Sequence, residues 1–144
     1  MPDQETIKRA REDAREGKSP NTQAGEFVRE EMHHIREGKH GASSPQQAIA
    51  IGLSKARRAG VKLPAKGSSS SQKKAAQDSK AGTRPRRKVS VKRSRAASRA
   101  LKRQPKGAAS HKSLSRQAKR SAARRGPRAR RAASVKAART RRAA

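Results

Sequence analysis

Apolar side chains recur at helical spacing through the first 66 residues and then almost vanish. Ile7, Ala10 and Ala14 fall at i, i+3 and i+7, on one face of a predicted first helix. Asp3 stands where an N-cap belongs, Glu5 precedes Arg9 by four residues, and Gly17 ends the segment. A second stripe, Ala24, Val28, Met32 and Ile35 with Phe27 beside it, opens at Ser19-Pro20 and closes at Gly38. The third segment opens at Ser44-Pro45, with capping-box spacing from Ser44 to Gln47. It runs through Ile49, Leu53 and Ala56 to Gly60, and Val61 is placed for the apolar contact of a glycine C-cap. Ala48-Ile49-Ala50-Ile51 alternates as a strand would, but the caps on both sides favour helix.

The same pattern interprets a repeated motif. Arg-Glu-Gly-Lys occurs at residues 15–18 and again at 36–39, each time followed by Ser-Pro. Glycine suits the left-handed position just past a helix end, and lysine suits the negative end of the helix dipole. The motif reads as punctuation between helices rather than as a ligand site.

Charge separates the chain into two materials. Residues 1–66 hold 13 Lys/Arg against 9 Asp/Glu, a net of +4, whereas residues 67–144 hold 27 Lys/Arg against Asp78 alone, a net of +26. The front part carries ten large apolar side chains, which allows either a loose three-helix cluster or burial against a second copy. The rest offers only Val89, Val91, Leu101, Leu114 and Val135, too few for a core. The expectation is therefore a mainly α chain. A short helical module of about three helices spans residues 1–66, a flexible Ser/Lys-rich linker spans 67–83, and a disordered Lys/Arg/Ala tail spans 84–144. Pro85, Pro105 and Pro127 divide the tail into blocks whose Ala and Arg/Lys content favours helix once a polyanion relieves the repulsion.

Several chemistries are excluded or disfavoured. There is no cysteine, hence no disulfide and no thiolate chemistry. The apolar run Ala48–Leu53 is too short to span a membrane, and the mixed-charge N-terminus lacks a signal-peptide core. His33 and His34 point about 100° apart on a helix. With His40, they read as solvated surface histidines and not as a metal site; only Glu37 stands at i+4 from His33. Glu30 and Glu31 read as ordinary helix-surface charges. No nucleophile elbow and no phosphate-cradling glycine loop is present, so neither an enzyme nor a cofactor is expected.

What remains is nucleic-acid chemistry. Lys55, Arg58 and Lys62 recur at i, i+3 and i+7 with Arg57 adjacent, a basic face opposite Ile49, Leu53 and Ala56. Further phosphate contacts are expected from Arg84, Arg86, Arg87, Lys88, Lys92, Arg93, Arg95, Lys102 and Arg103. Lys119, Arg120, Arg124, Arg125, Arg128, Arg130, Arg131, Arg139, Arg141 and Arg142 extend that set. Residues 67–144 contain no tryptophan, tyrosine or phenylalanine, which weighs against stacking on exposed bases and favours readout of charge and backbone shape. The expected function is sequence-independent DNA binding of the nucleoid-associated kind. RNA or ribosome binding, and a helical protein–protein adaptor, are the alternatives. Lys73-Lys74 with Arg84–Lys88, and the serines ending Arg-Arg-Lys-Val-Ser and Arg-Arg-Ala-Ala-Ser, match localisation and kinase patterns that any basic tail generates.

The block Thr22–Pro64, with Ala-Gly-Glu-Phe-Val-Arg-Glu-Glu, Arg-Glu-Gly-Lys-His-Gly-Ala and Gln-Ala-Ile-Ala-Ile-Gly-Leu-Ser-Lys-Ala-Arg-Arg-Ala-Gly in order, resembles a family of small basic bacterial proteins of unknown function. The resemblance implies a bacterial cytosolic protein and brings no catalytic residues. The tail separately resembles the Lys/Ala/Pro-rich tails of bacterial histone H1-like proteins, which implies a nucleoid location.

Overall fold

A computed structural model of the protein describes residues 2–84 and 90–143. Among these residues the chain forms six α-helices: α1 (Gln4–Arg15), α2 (Pro20–Arg36), α3 (Pro45–Arg58), α4 (Ser69–Thr83), α5 (Val91–Lys102) and α6 (His111–Ala143). A short 3-10 turn, Lys106–Ala109, precedes α6. Two compact units result, Met1–Ala109 and Ser110–Ala144.

The three front helices and their punctuation follow the sequence. Ser19 Oγ accepts from the Thr22 amide at 3.3 Å, and Ser44 Oγ accepts from the Gln47 amide at 3.2 Å. The reciprocal arm of the second cap reaches one residue further back, since Gln47 Oε1 accepts from the Ser43 amide. Gly17, Gly38 and Gly60 all have positive φ. Each sits in a Schellman closure, as where Lys18 N–H donates to the Asp13 carbonyl and Gly17 N–H to that of Ala14. Lys18 adds ion pairs to Asp13 at 2.8 Å and Glu16 at 2.7 Å. The stretch 48–51 is helical.

Two details of α1 differ from expectation. Asp3 occupies the N-cap position, but its side chain makes no capping hydrogen bond; it faces His34 instead. The buried face runs through Thr6 and Ala10, and Ala14 is exposed. The Glu5–Arg9 pair forms at 2.7 Å, and Arg9 also reaches Glu26 of α2 at 2.8 Å.

The core gathers Ala10, Ala24, Phe27 and Ala56, with Ile7, Leu53, Val61 and Leu63 packed against it. Small residues let α2 and α3 approach closely, so few large side chains suffice. Expected as three helices and a disordered tail, the fold is corrected here: the tail is helical in its described parts. A chain that cannot build a core can still satisfy its backbone locally. Ala, Arg, Lys and Gln are strong helix formers, and each arm of α6, residues 111–125 and 127–143, reaches the roughly 12–15 residues at which isolated helices become marginal.

Part of the region read as linker and tail also docks on the front module. The helix α4 occupies the segment read as a linker, starting from a Ser68 cap. Asp78, the one acid beyond residue 66, joins α4 to α3. It accepts from Ser54 Oγ at 2.8 Å and from Arg58 Nε at 2.9 Å. Replacing Asp78 with Ala is expected to cost roughly 1–2 kcal/mol, discounted for the exposure of Arg58. Hydrogen exchange should then quicken in residues 69–83 and stay unchanged in α2.

Further along, Gly41 N–H donates to the Leu101 carbonyl at 2.9 Å and Ala42 N–H to that of Pro105 at 3.1 Å. A side chain at Gly41 would overlap the Gln104 backbone, so only glycine permits that approach. Ala108 and Ala109 are buried, and Arg36 Nε donates to the Ala109 carbonyl at 3.0 Å.

The prolines punctuate as their spacing suggested where they are described. The helix α5 ends before Pro105, and α6 breaks at Gly126 (φ 73°, ψ 167°) ahead of Pro127. Among the described residues, no helix is long and apolar enough to cross a membrane.

Candidate functional site

Two chemical features stand out, one cationic and exposed, the other mixed and buried. The unit Ser110–Ala144 carries 13 Lys/Arg and no Asp/Glu. Every one of those cations, including Lys119, Arg120, Arg124, Arg125, Arg128, Arg130, Arg131, Arg139, Arg141 and Arg142, is exposed. At 1.5 Å per residue, the two arms of α6 on either side of Gly126 run about 22 and 25 Å, so positive charges recur about every 4 Å along each. One strand of duplex DNA presents a phosphate about every 3.4 Å. In α5 and the turn after it, Lys92, Arg93, Arg95, Lys102 and Arg103 are exposed as well, and so is Arg84. Arg86, Arg87 and Lys88 lie outside the described residues.

The basic face expected on α3 is largely engaged elsewhere. The Lys55 ammonium stands 3.0 Å from Glu30 Oε1 and 2.8 Å from Glu31 Oε2. Burial works against its charge, but the two carboxylates, Glu31 and Glu30, outweigh burial and raise its pKa. Arg58 is held by Asp78 at 2.8 Å. The Nε of Arg57 is buried without a hydrogen-bond partner, and Lys62 is exposed. Of the four, Lys62 is the one that is exposed and not held by an acid. The periodicity was sound, but the nearby acids of α2 and α4 could not be seen from α3 alone.

Lys55 leads to the second feature. Glu30 and Glu31 are buried, Glu31 completely, and are not the surface charges that their position suggested. Glu31 shares the inward stripe of α2 with Ala24, Phe27 and Ile35. Neither of its carboxylate oxygens has a partner in hydrogen-bond geometry, although Lys55 stands close to one of them. Its Oε1 lies 3.2 Å from His40 Nε2, and His40 Nδ1 donates to the Gly41 carbonyl at 3.1 Å.

The ring of His34 faces Asp3 Oδ2 at 3.4 Å and Glu30 Oε1 at 3.9 Å. Glu30 Oε2 accepts from the Asp3 amide at 3.1 Å. His34 and His40 meet edge to face, with ring centroids 6.1 Å apart. Of the three histidines read as solvated, His33 is exposed as expected, whereas His34 and His40 are drawn inward. The visible signal was the spacing of Glu30 and Glu31 to His34, i+4 and i+3, which places all three near one helix face.

The order of these residues along α2, the α2–α3 loop and α3 is what a sequence comparison can test. Residues 15–67 match a family of unknown function (DUF6496). No curated protein and no solved structure matches the chain. The DUF6496 segment contains Glu30, Glu31, His34, His40 and Lys55. It excludes Asp3, α4, α5 and α6.

Proposed function

We propose that the protein binds duplex DNA with little regard to sequence, as an architectural, nucleoid-associated protein, through the cationic helices α5 and α6. The observation that carries this reading is the 13 exposed cations of residues 110–144, with no acid in that segment to neutralise them. Such a surface gains affinity by releasing the counterions condensed on phosphates, a term blind to base identity. Phe27, the sole aromatic residue outside the histidines, is buried, so no aromatic platform competes with this mode. The reading assigns no catalytic step to the chain and places it with bacterial chromosomal DNA. The front module is a folded body joined along the chain to the cationic segments.

Competition between duplexes tests it. Scrambling a duplex of fixed length and composition should change affinity less than about threefold, far below the 10³–10⁷ ratios of specific binders. A preference above about a hundredfold for one sequence would sink the proposal, and so would preferential capture of structured RNA over duplex DNA in crosslinked cells.

A further inference from the structure

The cationic surface leaves the buried polar cluster unexplained. A carboxylate in the inward stripe of a helix is costly unless its charge is met. Glu31 shares the single ammonium of Lys55 with Glu30, so two buried carboxylates meet one cation there. Lys55 approaches Glu31 from the Oε2 side, leaving Oε1 to face the histidines.

We propose that Glu31, His34 and His40 form a binding site for a divalent metal ion of the zinc class. Their ligand atoms all lie within 4.8 Å of one another. With bonds of about 2.0–2.1 Å, two ligands of a tetrahedral ion stand about 3.3 Å apart. The 3.2 Å between Glu31 Oε1 and His40 Nε2 matches that edge.

The orientation of the His40 ring agrees. Because Nδ1 is engaged with the Gly41 carbonyl, Nε2 is the ring nitrogen left to face the carboxylate as a ligand. At that distance a cation must lie between the two atoms, either a proton on Nε2 or a metal ion, and the Co²⁺ spectrum separates the two. Two imidazoles and one carboxylate favour zinc or a similar transition ion over magnesium or calcium, which take all-oxygen sets. Three protein ligands leave the fourth position to water. Such an ion would join α2 to the α2–α3 loop. With one ring nitrogen of His34 on the ion, the other keeps its N–H for the carboxylate it faces, Asp3 at Nε2 or Glu30 at Nδ1.

The test uses the full chain after chelator treatment, with Co²⁺ as a spectroscopic probe and Zn²⁺ as competitor. One equivalent of Co²⁺ should give the intense visible absorption of a tetrahedral site, and Zn²⁺ should abolish it. Zn²⁺ at a hundredfold excess over its Kd should raise the unfolding midpoint by about 5 °C or more. His40→Gln and His34→Gln should each weaken Co²⁺ binding by more than the roughly 10–100-fold that outer-shell changes cost. His33→Ala, exposed and one residue away, should leave it unchanged.

The site is overturned if wild type shows no tetrahedral Co²⁺ spectrum. It is equally overturned if both glutamine variants bind as wild type does, or if His33→Ala weakens binding as much as they do. The wild-type spectrum decides even where a variant fails to fold, and it is independent of DNA binding.

Discussion

Raising the salt concentration from 50 to 200 mM should lower the affinity of the full chain for duplex DNA by about 10³–10⁵, the fall expected when on the order of 10 phosphates are contacted. The estimate follows from counterion release, and the charge is available: 26 of the 30 net positive charges lie beyond residue 66. Because residues 110–144 supply 13 of the Lys/Arg, a chain ending at Ala109 should show a clearly shallower slope of log affinity against log salt. Fluorescence anisotropy with a labelled duplex measures both slopes. Identical slopes would mean that α6 contacts no phosphates, and the interface would have to be sought on α5 or the front module.

Phe27→Ala should do the opposite. Phe27 is almost completely buried between Ala10, Ala24 and Ala56, residues too small to refill the space it leaves. The expected cost is about 3–5 kcal/mol, a large share of the 5–15 kcal/mol that holds a typical domain together. Thermal unfolding followed by circular dichroism should lose its cooperative transition for the front unit, while α6 keeps its local helicity. DNA affinity of the full chain should change only a few-fold, since the cations of residues 110–144 belong to a separate unit and are exposed. Affinity falling as steeply as on loss of those residues would make the front unit the binding element.

The front helices were legible because their signals are local. Caps at Ser19 and Ser44 and glycines at 17, 38 and 60 act within a few residues of themselves, and each appears as its spacing implied. The tail was misjudged for a physical reason. Its composition was weighed by the core it could build, whereas α6 is sustained by backbone hydrogen bonds and by alanine and arginine propensities. The docking of residues 101–109 was invisible because it depends on main-chain groups of Gly41 and Ala42 meeting carbonyls some sixty residues away.

Among candidate binding residues, the exposure of the α6 cations could be expected from their own sequence alone. The engagement of Lys55 and Arg58 needed knowledge of which acids fold against them. The buried cluster combines both cases. Glu31 and His34 were close in sequence, but the loop that returns His40 to them was not predictable from periodicity.

The break in α6 at Gly126 has a geometric consequence for any elongated, winding partner. An unbroken rod of about 50 Å outruns the roughly 34–36 Å turn of duplex DNA, so its far end must leave the groove in which it began. Residues 111–125 and 127–143 instead form arms of about 22 and 25 Å, each shorter than one turn. Against the proposed duplex, the joint sets the stride of the cationic surface, as two short footfalls in place of one long overreach.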